Sequence, residues 1–81
     1  MNASDIGRLF SNIRLGNADA CWEWQASGYK GYGQIQVDGH NCKAHRLVLE
    51  LKLGRPLKPK HFACHSCDNP SCCNPSHLFE G

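Results

Sequence analysis

The stretch Cys64-His-Ser-Cys-Asp-Asn-Pro-Ser-Cys-Cys-Asn-Pro-Ser-His-Leu-Phe-Glu-Gly81 holds four of the chain's six cysteines and two of its five histidines. It is also rich in Asn, Pro and Ser and poor in large apolar side chains, so an apolar core cannot order it. Zinc closes a structural site with four ligands drawn from thiolates and imidazoles. Cys67, Cys72 and His77 follow one another at five-residue intervals, and the Asp68-Asn69-Pro70 and Asn74-Pro75 turns between them can wrap an ion. Adjacent Cys72 and Cys73 point in different directions, so only one of the two is expected to bind. By spacing alone the fourth ligand is Cys64, as a local C-x-x-C knuckle, with Cys21 or Cys42 as alternatives brought in by the fold. A disulfide framework and a set of unligated thiols are the competing explanations.

The rest of the chain sets the context for that segment. At 81 residues it is expected to be a single domain spanning 1–81, small enough to need a staple. The opening MNASDIGRLF lacks a basic segment followed by an apolar one, so a reducing, cytoplasmic compartment is expected, with thiols or metal thiolates rather than disulfides. No run approaches the roughly 20 apolar residues that cross a bilayer, and no membrane partner is expected. Between Lys43 and His61 lie six basic residues (Lys43, Arg46, Lys52, Arg55, Lys58, Lys60) against one acid, Glu50. A patch of this kind suits a nucleic-acid partner, though solvated lysines alone also produce one.

Ser4 or Asp5 is the predicted cap of a first helix running through about Ile13, with Ile6, Leu9, Phe10 and Ile13 on one face. CWEWQAS alternates as a strand, placing Trp22 and Trp24 on one side, where they pack a core or stack on a base. Gly28 to Gly33 supplies turn residues. Tyr32 to Val37 has period two, with Tyr32, Gln34 and Gln36 opposite Ile35 and Val37, and Asp38-Gly39 turns it into a returning strand over His40–Lys43. A second helix is predicted over Ala44–Leu53, packing through Ala44, Leu47, Val48 and Leu51 and stopped by Gly54 and Pro56. RPLKPKHFACH reads as a loop and a short strand delivering His65, and the remainder as irregular; no internal repeat stands out.

HSCDNPSCCNPSHL, His65 to Leu78, resembles the zinc loop of His-Cys box homing endonucleases and of the small HNH-type endonucleases common in phages. CWEWQASGYKGYGQIQ and AHRLVLELKLGRPL resemble their CWxWxG…GYG and HR…G.P segments, so the likeness spans roughly Cys21 to Gly81. It implies a small zinc-stabilised α+β domain with two helices, a short antiparallel sheet and the front of a ββα-metal motif, its zinc loop over residues 64–78. It implies structural zinc held by Cys67, Cys72, His77 and Cys21 in place of Cys64, with Cys42, Cys64 and Cys73 as ordinary thiols. It implies His65 as the general base of phosphodiester hydrolysis.

The partner so implied is double-stranded DNA, met by Lys30, Gln34, Gln36, Lys43 and Arg46. The nuclease reaction further needs Mg or Mn, which in the resembling enzymes is held by a helix after the His-Leu pair; the sequence stops at Gly81, where that helix begins, and Cys64 stands where some of them carry Asp. Three functions follow as expectations. One is a nuclease with weak or no independent cutting, completed by a homodimer or another residue. The others are a catalytically incomplete DNA-binding module, and a protein-interaction domain that inhibits or regulates a protein partner.

Overall fold

The structure, a computed structural model, describes residues 2–81. Helix α1 (Ala3–Ser11) is capped by Asn2. The Asp5 N–H donates to the Asn2 side chain at 2.8 Å and Asn2 N–H donates back to the Asp5 carboxylate at 3.4 Å, a reciprocal capping box. The cap therefore sits ahead of the predicted Ser4 or Asp5, because Asp5 serves as the third helical residue. The helix also ends before Ile13, which leaves it to bridge Trp24.

A three-stranded antiparallel sheet follows, in the order β1 (Gly28–Tyr29), β2 (Tyr32–Val37), β3 (His40–Lys43). Both of its turns have two residues at positive φ: Lys30 and Gly31 at 53° and 84°, Asp38 and Gly39 at 52° and 78°. Such turns match the twist of a two-residue hairpin. The Gly28–Gly33 stretch, predicted as turn alone, is thus a hairpin. Gly33 has a second constraint: a Cβ there would lie 2.4 Å from Cγ of Trp24, so the absence of a side chain lets the indole close on the sheet.

CWEWQAS does not form the predicted strand. It makes only the isolated bridges Ile13 to Trp24 and Glu23 to Cys72, because its neighbours are the end of α1 and the tail rather than an open sheet edge. Trp24 is buried in the core, its indole N–H donating to the Ser27 carbonyl at 2.8 Å, while half-buried Trp22 packs against that core and donates to the Asn17 carbonyl.

Helix α2 (Ala44–Leu53) ends at Gly54 in the left-handed region, φ 73°. It buries Ala44, Leu47 and Val48, but His45 and Leu49 take the place expected of Leu51, which stays 38% exposed. The helix is covered on two sides, so its buried stripe is wider than a one-sided contact predicts. One side meets β2 and β3; the other meets the tail. On the latter side Lys52 Nζ donates to the carbonyls of Pro75 and Leu78 at 2.9 and 3.3 Å.

The tail is not irregular. Strand β4 (Ala63–His65) pairs antiparallel with β5 (Leu78–Glu80), His65 opposite Leu78, and a single 3-10 turn over Pro75–His77 leads into β5. Phe62 and Gly81 extend the ribbon by exchanging main-chain bonds of 2.7 and 3.0 Å. Together these elements make a small α+β fold with the Cys/His segment closed against α2.

Candidate metal centre and adjoining histidine

Two identical turns build the centre. In Asn69-Pro70-Ser71-Cys72, the Asn69 side-chain oxygen accepts from the Ser71 N–H and hydroxyl at 3.1 and 3.0 Å, and Cys72 N–H donates to the Asn69 carbonyl at 3.0 Å. In Asn74-Pro75-Ser76-His77 the corresponding distances are 3.0, 2.8 and 2.9 Å. Each turn thus presents a ligand-type side chain three residues after its asparagine. The two Asn-Pro turns were expected to wrap an ion; the Ser that completes each of them was not singled out, and the shared Asn-Pro-Ser pattern has this geometric purpose.

Both asparagines also grip the segment that carries Cys21. Nδ2 of Asn74, whose residue is 1% exposed, donates to the Ala18 and Ala20 carbonyls at 2.9 and 2.6 Å, and Nδ2 of Asn69 donates to Glu23 at 3.3 Å. Trp24 N–H donates to Ser71 and Cys73 N–H to Trp22, at 3.0 and 2.7 Å.

As a result the donor atoms of Cys21, Cys67, Cys72 and His77 all lie within 4.8 Å of one another. Nδ1 of His77 is 3.4 Å from Sγ of Cys72 and 3.9 Å from Sγ of Cys21. A tetrahedral zinc with bonds of about 2.3 Å to sulfur and about 2.0 Å to nitrogen separates its donors by roughly 3.5–3.8 Å. The cluster fits such an ion with small closure. Cys64 stands apart, its Sγ–H directed at the Phe62 carbonyl. Cys73 is buried in the core and its thiol is pushed up to about 12 by burial; Cys42 is half-buried. Burial likewise raises Cys72, to about 11, against the Asn74 N–H that points at its sulfur at 3.5 Å.

His65 adjoins the cluster. Its Nε2 lies 2.9 Å from the Cys72 carbonyl. A carbonyl only accepts, so Nε2 carries a proton, and in the neutral ring Nδ1 then keeps its lone pair. The ring stacks on His45 with centroids 4.6 Å apart, and Tyr32 lies 5.2 Å from His45 and 6.2 Å from His65. Burial holds His45 down at about 4, so it is neutral.

The polar ribbon face lies on β2 and β3. Gln34 pairs with Lys43 and Gln36 with Asn41, which puts these four side chains on one face. Asn41 went unremarked in the sequence, although the Asp38-Gly39 turn fixes it opposite Gln36. Lys43 Nζ sits 4.8 Å above the Tyr32 ring. Lys30 is elsewhere, in the β1–β2 turn over Tyr29, and Arg46 is on α2, 3.6 Å from Glu50. Among the described residues no helix is long and apolar enough to cross a membrane.

Residues 42–81 match the family model described as HNH endonuclease. The chain is 42% identical over 77 residues to Protein 2.8 of Escherichia phage T7, covering 91% of this chain and 50% of that protein. It is 39% identical over 62 residues to Protein 7.7 of the same phage, covering 75% and 47%. The chain therefore spans about half the length of these curated relatives. No solved structure matches it. The matched segment contains His65, Cys67, Cys72 and His77, while Cys21 lies outside it. That match places residues 42–81 in the HNH endonuclease family.

Proposed function

We propose that residues 1–81 form one DNA-engaging nuclease domain in which His65 is the general base for phosphodiester hydrolysis and Cys21, Cys67, Cys72 and His77 hold a structural zinc. The observation that carries this reading is the bond from His65 Nε2–H to the carbonyl of Cys72, itself a member of the metal-holding cluster. The centre thereby orients the base, and the tautomer it selects leaves Nδ1 free to take a proton from the attacking water. A divalent Mg or Mn ion, when bound, would supply charge stabilisation at the scissile phosphate and the leaving oxygen.

Double-stranded DNA is the substrate in this reading. Gln34, Gln36 and Asn41 offer amides of the type that reads adenine edges, and Lys43 a cation for phosphate. Lys30 and Arg46 add charge from neighbouring elements. Similarity to phage proteins supports the cytoplasm of an infected cell as the setting.

A second reading, DNA binding without cleavage, draws on the ribbon face carrying its amides and Lys43 on residues other than His65. One experiment separates the two: plasmid nicking and duplex binding measured on the same protein with Mg²⁺ or Mn²⁺. Weak cation-dependent nicking that His65→Ala abolishes while binding persists is the expected result. Binding with no nicking under either cation would leave only the second reading. No binding even at low salt would overturn both and favour a protein partner.

A further inference from the structure

We propose that His45 is the positioning residue of His65: its buried ring is the surface that sets the plane of the neighbouring imidazole and hence the direction of Nδ1. This rests on His65 being the base.

The bond from Nε2 of His65 to the Cys72 carbonyl fixes one ring atom, and the ring could still swing about it. What limits the swing is the face of His45, 4.6 Å away and tilted by 25°. His45 is itself immobile. It is 3% exposed, it lies in the first turn of α2, and its Nε2–H donates to the Ala63 carbonyl at 3.2 Å.

Ala63 belongs to β4, two residues before His65. The flanking pair Phe62 and Gly81 exchanges main-chain bonds, so in the antiparallel alternation Ala63 turns its carbonyl away from β5 and toward the helix. His45 is thus tied to the same short strand that carries the base, and the two rings keep their relation as that strand moves. Tyr32 closes the stack from β2, with the Lys43 ammonium over its ring.

The chemistry of this position requires an imidazole. Phenylalanine would give a flat face but no donor for the Ala63 carbonyl; glutamine would give the donor but no face. His45 also has a cost built in, since its Nδ1 is buried without a hydrogen-bond partner. That same burial keeps the atom out of reach of a substrate, which separates positioning from catalysis. Because His45 stays neutral, it adds no charge beside the base.

The test uses His45→Phe, His45→Gln and His45→Ala in the zinc-loaded protein. Ring-proton resonances of His65 are expected to lie upfield, under the ring current of His45. They should shift downfield in the Gln and Ala variants and stay near their original positions in His45→Phe. Where nicking is measurable, kcat should fall by about 10- to 100-fold in His45→Ala, with partial rescue in His45→Phe. KM and duplex affinity should change much less than kcat, as the ribbon side chains themselves are unaltered. Unmoved His65 resonances in folded His45→Gln, or a parallel loss of kcat and DNA affinity, would overturn the proposal. An inactive parent protein would overturn the nuclease reading instead, and the resonance comparison would still decide whether His45 sets the ring.

Discussion

Sγ of Cys21 lies 3.9 Å from Nδ1 of His77, which joins the segment before the sheet to the last turn before β5. Between Ser66 and Ser76 the chain carries few large apolar side chains, so an ion held here would close a long loop that packing alone leaves weakly ordered. Metal analysis is expected to give one zinc per chain. Chelation should lower the melting temperature by about 10 °C or more, as expected when a small domain loses a few kcal/mol. Cys21→Ser should weaken retention strongly and Cys64→Ser should not. Loss of the metal in Cys64→Ser with retention in Cys21→Ser would return the site to the local C-x-x-C arrangement.

Asn74 is the polar counterpart of that closure. Its amide satisfies the carbonyls of Ala18 and Ala20, and its oxygen takes both donors of Ser76. Asn74→Ala removes these bonds of a buried side chain, and chemical denaturation should show a loss of about 2–3 kcal/mol. Asn69→Ala should cost less, since its Nδ2 reaches only the exposed side chain of Glu23. Equal costs for the two would mean that the grip on Ala18 and Ala20 does not matter.

The contrast between the middle of the chain and its ends shows what a sequence encodes locally. The β2–β3 hairpin and α2 were legible because Asp38-Gly39 fixes a register and Gly54 a stop, both within a few residues of the element they shape. Strand β5 was not, because three residues have no periodicity and its partner β4 lies far back in the chain. Spacing pointed to Cys64 for the cluster; what delivers Cys21 is a set of bonds to main-chain carbonyls, from the Asn74 side chain and from the N–H groups of Cys73 and Trp24, across more than forty residues. The resemblance to nucleases was the signal that named Cys21. His45 showed itself as a helix position and as the His of the HR motif in that resemblance, but its stack on His65 exists only once α2 and β4 meet.

Glu80 gives the fold a defined acid limit. Its carboxylate accepts from Arg55 at 2.6 Å, from the Lys58 N–H at 2.7 Å, and faces His61 Nδ1 at 3.2 Å. The Arg55 hydrogen bond first, then that N–H, hold it at about 2 against an ordinary 4.5. The unfolded chain binds the proton more readily, so this stabilisation is complete above about pH 4.5 and is lost as pH falls toward 2. Glu80→Gln should flatten that part of the stability profile while leaving the profile above pH 5 parallel to that of the parent. An unchanged acid limb would mean the clamp on β5 does not persist in solution.

The ribbon face makes the last test, because its four side chains separate charge from base reading. Lys43 stands opposite Gln34, and Asn41 opposite Gln36, so removing one type leaves the other in place. If Lys43 meets a phosphate, Lys43→Ala should weaken duplex binding about equally across sequences and reduce the slope of log affinity against log salt by about 1. Gln36→Ala and Asn41→Ala should leave that slope alone and instead erode discrimination between A·T and G·C at one or two positions, by about 1–3 kcal/mol each. The Arg8 guanidinium donates to the Gln36 carbonyl at 2.5 Å and so anchors the backbone beneath these side chains. Binding that depends on neither pair, with salt dependence intact, would move the DNA interface off this ribbon and toward the basic residues of α2 and the loop that follows it.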